Sequence, residues 1–451
     1  MMLVLVAGAA TAVAAVALVA RRPIFGGILL AVGVPLTTAL GRGTVIPLLR
    51  VNEAILLLVL AGLAIHYLLT RPSPTFVGLD LAVAGFAVGA SLIPWLVLSF
   101  AHVQMDFDTW RAVLGPLQFL AVYFCFAQLR ASENDLKWLL NLTLLTSVVV
   151  GVIAVLELQD FPPGARTIFN TYFPPDNPAL DDPNSSDYRP TSLLGVYGSV
   201  GAFAMLNTIL AITLARKNES RIRGAWLTAV IVVNLAALVA SLTWAPAVAL
   251  VLGATIAIWY SRYLPRQIWM SGAAAVVALA VLWPLVSARL DTTLASGSFV
   301  NIDARIRNWQ LYFLPVLAEH PWLGTGTIIP GDLPPYLSDF VDNEFLRTGF
   351  RAGIVGIGLL IVMLTSVSVT ALRCRDSSDP WLRLLGAVSL ATVVTIFLVG
   401  FTAEYLAFGG LSQYIAMLFG LLAARIRHPA QSSVQVEARL DGRPAEMAAV
   451  T

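Results

Sequence analysis

Apolar runs of about 17 to 25 residues recur along nearly the whole of this 451-residue chain. Each run is long enough to cross the roughly 30 Å hydrocarbon core of a bilayer as a helix. None alternates apolar and polar residues as the strands of a membrane barrel do. The mean hydropathy is +0.80, far outside the range of soluble domains. The sequence therefore predicts an all-α polytopic membrane protein.

Apolar windows divide the chain into about thirteen predicted transmembrane helices, with a range of about 12 to 14. They lie near 2–20, 24–41, 52–70, 78–100, 112–129, 136–158, 191–215, 225–242, 244–261, 268–287, 352–372, 382–403 and 407–424. The first run is followed, not preceded, by its arginines. We therefore expect a retained helix there and not a cleaved signal peptide.

Basic residues orient these predicted helices. If successive helices cross the membrane in opposite directions, all the loops with basic residues fall on one side. Their basic residues are Arg21 and Arg22, Arg71, Arg130 and Lys137, Arg216 to Arg223, Arg262 and Arg266, Arg373 to Arg383, and Arg425 and Arg427. Because cytoplasmic loops retain Lys and Arg, that side is predicted to be the cytoplasm. The N-terminus is then outside and the C-terminus inside. Two long connections fall on the extracytoplasmic side, where arginines run against the general bias.

The predicted organisation has six parts. They are N-terminal transmembrane helices (1–158), an extracytoplasmic loop (159–190), central transmembrane helices (191–287), a large extracytoplasmic catalytic loop with interfacial helices (288–351), C-terminal transmembrane helices (352–427) and a disordered cytoplasmic tail (428–451). The net charge of +2 gives no case for a nucleic-acid partner. Cys125 and Cys374 indicate neither a disulfide framework nor a thiolate metal site.

The large loop contains the stretch NIDARIRNWQLYFLPVLAEHPWLGTGT, from residue 301. Apolar residues recur at helical spacing over 306–316, which predicts an interfacial amphipathic helix with Trp309 in the headgroup layer. Arg305 and Arg307 remain available to polar groups. Two interpretations stay open for them. The arginines extend to lipid phosphates, or they clamp a diphosphate, for which a planar guanidinium with several donors is suited.

The end of the same loop, SDFVDNEFLRTGFRAGIVG from residue 338, concentrates charge where a membrane helix begins. Asp342 is typical of a helix cap, and the helix N-terminus is expected to lower the pKa of its carboxyl. Asn343, Arg347 and Arg351 follow at intervals of four, on one face of a helix. A polar stripe of this kind at a membrane surface favours an anionic partner. Capping and chemistry both remain open for Asp342.

Two further stretches hold candidate substrate contacts. HPWLGTG, from His320, predicts a turn, because it lacks the Gly-Lys-Ser/Thr ending of a phosphate loop. A turn role is favoured for His320 over a catalytic one. The first long connection, FPPDNPALDDPNSSDYRPT, is rich in proline and carboxylates and predicts a solvated, sugar-facing loop. Arg189 is its strongest candidate, with Tyr188 beside it.

These motifs together resemble the O-antigen ligase and polymerase superfamily of bacterial envelope glycosyltransferases. The resemblance lies in Arg305 with Trp309, then HPWLGTG, then VDNEFL followed by Gly353 and Gly356, and it extends over roughly 189–422. It implies a GT-C-like fold in the bacterial cytoplasmic membrane. It also implies that a glycan is transferred from a polyprenyl-diphosphate carrier to an acceptor glycan at the outer face. The implied transfer is inverting and needs neither a metal nor another cofactor.

Carried over by position, Arg305 and Arg189 resemble the family's loop arginines and are suited to the carrier diphosphate. Asp342 stands where ligases of the family have His, which implies an acceptor-orienting role. The stretch SLTWAPA around Trp244 lacks an arginine that many relatives have there. The Asp-Asn pair at Asp342 and Asn343 favours a polysaccharide polymerase over a lipid A-core ligase.

Two other functions are weighed against this one. A flippase for lipid-linked oligosaccharide would have a similar number of helices, but it needs a polar path through the bilayer centre. The central turns of the predicted helices contain essentially no Asp, Glu, Lys or Arg. A polymerase of the cell-division and elongation class also uses polyprenyl-linked donors, but its loop motifs are not visible. The expected partners are therefore a lipid-linked glycan donor, a glycan acceptor and membrane lipid.

Overall fold

In the part of the chain that the structure describes, all regular secondary structure is helical, apart from one β-bridge between Ile46 and Leu49. The structure is a computed structural model, and it describes residues 2–41, 46, 49–71, 75–173, 188–215, 221–261, 280, 283, 287, 300–326 and 341–429. Its α-helices are α1 (Met2–Arg21), α2 (Ile24–Thr37), α3 (Val51–Thr70), α4 (Gly78–Phe100), α5 (Phe107–Ala127), α6 (Glu133–Leu158), α7 (Ala165–Tyr172), α8 (Tyr197–Ala215), α9 (Arg221–Ala240), α10 (Trp244–Ser261), α11 (Val300–Asn308), α12 (Leu314–Glu319), α13 (Glu344–Arg373), α14 (Pro380–Val399) and α15 (Leu411–Arg427). A π-helical turn, Trp309–Phe313, joins α11 to α12.

Seven of the described helices are long and apolar enough to cross a membrane: α3, α4, α5, α6, α8, α13 and α14. Shorter apolar helices occur in α1, α2, α9 and α10. The chain is therefore a polytopic helical membrane protein, as predicted. The predicted helix near 268–287, apart from residues 280, 283 and 287, lies outside the described residues. So do the predicted tail from Ala430 onward and residues 174–187 of the first long loop.

Helix α8 lies at the centre of the bundle. Its side chains are buried along almost the entire helix, because α6, α9, α10 and α14 surround it. Small residues let other groups approach α8 closely: a Cβ on Gly201 would lie 2.4 Å from the Thr243 hydroxyl oxygen and 2.7 Å from that of Ser241. Such close approach is how membrane helices associate without a hydrophobic drive. Helix α4 packs along α13, and α5 packs along α15. These two pairs join the N-terminal helices to the C-terminal ones.

One end of the bundle, which we call the basic end, is held by buried ion pairs. Arg427, at the end of α15, pairs with Asp80 at the start of α4 and donates to the Ala127 carbonyl oxygen. The Tyr123 hydroxyl donates to the same Asp80 carboxylate at 2.6 Å. Arg425 pairs with Asp379 at 2.5 Å. The helix ends that the sequence predicts to be cytoplasmic are therefore gathered at one place.

The opposite end of the bundle holds the remaining charged side chains of interest. Helix α6 runs from Glu133, which is 3.9 Å from Arg425 at the basic end, to Glu157, which accepts from the Thr191 and Ser192 amides at the other. The two ends are thus separated by a whole membrane-length helix. The second end carries the start of α13 and the segments that contact it, and we call it the site end.

Candidate active site

The start of α13 is capped by Asn343 and not by Asp342. The Asn343 side-chain oxygen accepts from the Leu346 amide at 2.9 Å, and its side-chain nitrogen donates to the Phe401 carbonyl oxygen at 3.3 Å. Asp342 precedes the cap with a left-handed φ of 55°, which Asp tolerates better than most residues. The expectation that Asp342 caps this helix is therefore wrong. Its carboxylate is left available for other partners.

Glu404, in the connection between α14 and α15, holds this turn in place. Its Oε1 accepts from the amides of Val341 at 2.5 Å and Asp342 at 2.8 Å. Its Oε2 lies 3.2 Å from the Nε of Arg347, and the Glu404 side chain is only 1% exposed. Glu344 adds a parallel contact, since its Oε2 accepts from the Leu406 amide at 2.8 Å. Two buried carboxylates therefore tie the start of α13 to the 400–410 connection.

Asp342 itself meets Arg305. The Arg305 Nε lies 3.1 Å from the Asp342 Oδ2, and the two side chains are 33% and 42% exposed. The same guanidinium donates to the Thr402 carbonyl oxygen at 3.1 Å. The pair is thus fixed by main-chain contacts on both sides, yet it remains open to a ligand.

Arg189, at the end of the first long loop, lies near enough to the same carboxylate to act on its charge. Its guanidinium stacks on the Tyr197 ring, 4.6 Å from the centroid, and it acts electrostatically on Asp342. The structure therefore brings the three residues predicted to be catalytic, Arg189, Arg305 and Asp342, into one electrostatic neighbourhood. Two cations and one carboxylate share it.

The position of Arg189 depends on a buried glutamate at the end of α6. The Glu157 carboxylate accepts from the Tyr188 hydroxyl at 2.5 Å, the Thr191 amide at 3.0 Å and the Ser192 amide at 2.8 Å. These contacts flank Arg189 on both sides. Tyr188 is 2% exposed and also carries the guanidinium of Arg166 over its ring at 4.8 Å. Tyr188 therefore supports the loop from within the protein.

The HPWLGTG segment, which follows α11 and α12 in the chain, docks on α13. Gly353 interrupts α13 with φ of 62° and ψ of −162°, a region that only glycine adopts readily. The broken helix leaves main-chain groups free to bind the turn: the Ile354 amide donates to the Pro321 carbonyl oxygen at 2.8 Å. The Thr325 amide donates to the Phe350 carbonyl oxygen at 2.8 Å. The predicted turn thus acts as the anchor of α11 and α12.

Trp309 also anchors this region to the start of α13. Its indole N–H donates to the Val341 carbonyl oxygen at 2.8 Å. Phe313 forms a small buried cluster with Val341 and Phe350, and its ring meets that of Phe350 edge-on at 5.7 Å. Phe313, with Trp309 and Val316 packed against it, therefore lies on the start of α13, while Ile306 of the same stripe is 39% exposed. The placement of this stripe in the headgroup layer stays a prediction. Val341, one residue before Asp342, is fixed by this packing.

The other candidates fall into two groups. Arg347 pairs with Glu404, and Arg351 is 8% exposed and donates to the Ala112 carbonyl oxygen at 2.5 Å. These two arginines face the protein interior and so do not form the exposed stripe that their spacing predicts. Arg307 and His320 are exposed, and neither contacts the Arg305–Asp342 pair in the described part of the chain.

The environment sets the pKa of the two carboxyls outside the helices. Burial raises the pKa of Asp342, while Arg305 and, at longer range, Arg189 act against that rise. The predicted lowering by a helix N-terminus does not occur, because Asn343 occupies the cap. Burial raises the pKa of Glu404 to about 7, against the opposing effect of Arg347. Glu404 is therefore placed to change charge near neutral pH.

Sequence reasoning missed the glutamates that position this site. Glu157 and Glu404 each stand alone in apolar sequence, as in FTAEYLAFGG. A lone glutamate with no nearby basic residue, at the end of a membrane helix, was the available signal, since buried carboxylates need partners. Among the described residues, no three His, Cys, Asp or Glu side chains are grouped to hold a metal ion.

Comparison with known proteins places this site within a family. Residues 227–361 match the family model described as O-antigen ligase, a segment that begins in α9, contains Arg305 and Asp342 and ends in α13. No curated protein matches the chain. Arg189 and Glu404 lie outside the matched segment, although the structure brings both to it. Residues 227–361, with the arginine and the carboxylate at the start of a membrane helix, therefore form an O-antigen ligase domain in this multi-span membrane protein, and the family of that domain is a family of enzymes.

Proposed function

We propose that this enzyme transfers a glycan from a polyprenyl-diphosphate carrier to an acceptor glycan. The observation that carries the proposal is the partly exposed contact between Arg305 and Asp342 at 3.1 Å, with Arg189 acting on the same carboxylate. Two guanidinium groups suit a diphosphate leaving group. A carboxylate beside them suits the hydroxyl that attacks.

The proposed reaction is a single displacement. The acceptor hydroxyl oxygen attacks the anomeric carbon of the donor sugar and forms the new glycosidic bond. The bond between that carbon and the diphosphate oxygen breaks, and the polyprenyl diphosphate leaves with the electron pair. The hydroxyl proton passes to Asp342. Attack opposite the leaving group inverts the anomeric configuration, and Arg305 and Arg189 stabilise the charge that develops on the diphosphate.

Donor binding should make Asp342 a stronger base. In the free protein, the contact with Arg305 favours the ionised carboxylate and so holds the pKa of Asp342 down against burial. When Arg305 turns to the diphosphate, that contact weakens and a second negative charge arrives. Both changes raise the pKa of Asp342. The base is thus strengthened only when the donor is in place.

The remaining candidates have two proposed roles. Arg307 and His320 are exposed, and we assign them to substrate contact. The others act through the shape of the site, since each is held by protein groups: Tyr188, Trp309, Asn343, Arg347 and Arg351.

Finer features of the proposal rest on the resemblance and on charge. A polysaccharide polymerase is favoured over a lipid A-core ligase, because Asp342 and Asn343 stand where ligases of the family have His with Asn or Ser. The fold is proposed to be GT-C-like with about thirteen membrane helices and the loop and helix divisions described above. The site end is proposed to face outward from the cytoplasmic membrane, because the loops whose basic residues predict the cytoplasmic side lie at the opposite end. The reaction is proposed to be independent of metal.

Purified protein in detergent, incubated with a polyprenyl-diphosphate oligosaccharide, should form longer glycans or a glycosylated acceptor. Arg305→Ala should slow this reaction by about 10²- to 10³-fold, the usual effect of removing one donor to a developing anion. Arg307→Ala is the matched control, because Arg307 lies two positions away on the same helix and is exposed. It should change the rate only a few-fold.

Two outcomes would contradict the proposal. Folded protein that forms no glycosidic bond with any such donor, but moves labelled donor across liposome membranes, would favour a flippase. Equal losses in Arg305→Ala and Arg307→Ala would remove the assignment of Arg305 to the diphosphate.

A further inference from the structure

A large cavity lies at the basic end, and neither Arg305 nor Asp342 lines it. It has a volume of about 940 Å³, within the range of small-molecule sites. It opens between the turn that joins α1 to α2, the last turns of α3, and the connection from α5 to α6. Helix α6 separates it from the site end, because the cavity is lined by residues at the start of α6 and Glu157 lies at its end. It is therefore distinct from the candidate active site.

The polar lining of this cavity is cationic. Arg21, Arg22 and Arg130 all contribute to it and all are exposed. None of the three has an ion pair with any described residue. The acidic lining residue, Asp135, is already engaged, because its Oδ2 accepts from the Ser132 amide at 3.0 Å and the Ser132 hydroxyl at 2.7 Å. Three guanidinium groups without an ion pair to any described residue thus line this space, and the one carboxylate among its lining residues is bound at the start of its own helix.

Much of the remaining lining is apolar, beside neutral polar residues such as Thr70 and Gln128. Ile24, Ile28, Leu63 and Leu142 lie in the wall. Trp138 lies at the rim and is 66% exposed, which is typical of an indole at the level of lipid headgroups. A free phosphate would occupy only a small part of this space and would leave the apolar walls in water. A phosphate that carries acyl chains fits both parts of the lining.

We propose that this cavity binds an anionic phospholipid, with its phosphodiester between the three arginines and its acyl chains along the apolar wall. Basic pockets between membrane helices on the side with excess Lys and Arg are suited to anionic headgroups. Guanidinium groups bind phosphate through several directed donors. The site is independent of the proposed glycan transfer, because none of its lining residues contacts Arg305 or Asp342.

Lipid binding to the delipidated full-length protein tests this proposal directly. Native mass spectrometry in detergent should show tighter binding of phosphatidylglycerol than of phosphatidylcholine. The double variant Arg22→Gln, Arg130→Gln should bind phosphatidylglycerol about 30-fold more weakly, because each arginine near an anionic lipid contributes a factor of about five. The control is Arg373→Gln, an exposed arginine at the basic end that does not line the cavity. It should bind as the unaltered protein does.

Other results would overturn the proposal. Equal binding of the two lipids, or equal losses in the control and the double variant, would reject the site. Inorganic phosphate that displaces phosphatidylglycerol at millimolar concentration would identify a free phosphate as the occupant. A chain that ends at Pro429 and binds the lipid much more tightly would identify residues 430–451 as the occupant. If the double variant does not fold, Arg21→Gln with Arg130→Gln carries the same test.

Discussion

Asp342 lies one residue before the cap of α13, and this position decides which groups surround its carboxylate. The carboxylate oxygens of a capping aspartate accept hydrogen bonds from helix amides, which stabilises the ionised form and makes the carboxylate a weaker base. Asn343 takes that task, so the Asp342 oxygens contact Arg305 instead. Asp342 is then held by its own amide, which donates to Glu404. The side chain is positioned through the backbone and remains free to react.

Glu404 should therefore control the pH dependence of the reaction. Its pKa is raised to about 7, so falling pH protonates it between about pH 8 and 6. The neutral carboxyl accepts more weakly from the Val341 and Asp342 amides and no longer balances Arg347. Activity should thus fall as the pH falls through 7. Glu404→Gln, which resembles the protonated form, should have low activity with little change over this range, measured as kcat against pH.

The control for this experiment is Glu319→Gln, an exposed carboxylate at the end of α12. It should keep both the activity and the pH profile of the unaltered protein. A Glu404→Gln variant with an unchanged acid limb would show that Asp342 or another group produces the limb, and that Glu404 only supports the fold.

The sequence indicated the residues that are proposed to react but not those that position them. Arg305 and Arg189 stood out because arginines oppose the charge bias of the outer side, and Asp342 because it begins a helix. Glu404 contacts a residue 62 positions away, and no periodic pattern records a contact at that distance. The inward direction of Arg347 and Arg351 was missed for the same reason. Helical spacing places side chains on one face but does not say which protein surface that face meets.

At the scale of elements, the site depends on a break in α13. Gly353 interrupts the helix, and the HPWLGTG turn fills the interruption with main-chain hydrogen bonds to Phe350 and Ile354. Gly324 makes the same close approach from the other side, since a Cβ on it would lie 2.4 Å from the Phe350 oxygen. The sequence predicted the turn, but it did not predict that the turn docks on the helix. This docking fixes how α11 presents Arg305 to Asp342.

Gly353→Ala should separate these elements. A Cβ at this position would lie 2.1 Å from the Trp322 oxygen, and the backbone conformation is one that alanine adopts only at a cost of about 1–3 kcal/mol. We expect lower thermal stability in detergent and loss of transfer activity. Gly358→Ala is the matched control, five residues along α13, where a Cβ would meet nothing within 4 Å. It should raise stability by about 0.5–1 kcal/mol.

The opposite outcome would remove the structural role given to the turn. If Gly353→Ala and Gly358→Ala have the same melting temperature and activity, the docking of residues 320–326 does not determine the position of Arg305. Limited proteolysis within this segment gives an independent measurement, because an undocked turn should be cleaved faster in Gly353→Ala than in Gly358→Ala.

At the scale of the whole molecule, charge is divided between two ends. Asp80 and Arg427 are each 1% exposed and join α4 to α15 at the basic end, and Arg425 joins α15 to α14 there. Removing one partner of such a buried pair costs about 3–5 kcal/mol, so the pair holds the two halves of the chain together. The sequence predicted a set of basic loops on one side of the membrane. It did not predict that two of the arginines are buried, because hydropathy windows count a charge without locating its partner.

The division into two ends predicts that two exposed positions, one at each end, are labelled from opposite sides of the membrane. Arg307→Cys at the site end and Asp376→Cys at the basic end are both exposed positions, and each is made in a background with Cys125→Ala and Cys374→Ala. A membrane-impermeant maleimide added to intact cells that lack an outer-membrane barrier should label Arg307→Cys at once. Asp376→Cys should react only after the cytoplasmic membrane is permeabilised, because the positive-inside bias places the basic end in the cytoplasm.

The reverse pattern would place the Arg305–Asp342 pair inside the cell and contradict transfer at the outer face. Labelling of both positions in intact cells would contradict the separation of the two ends by the membrane.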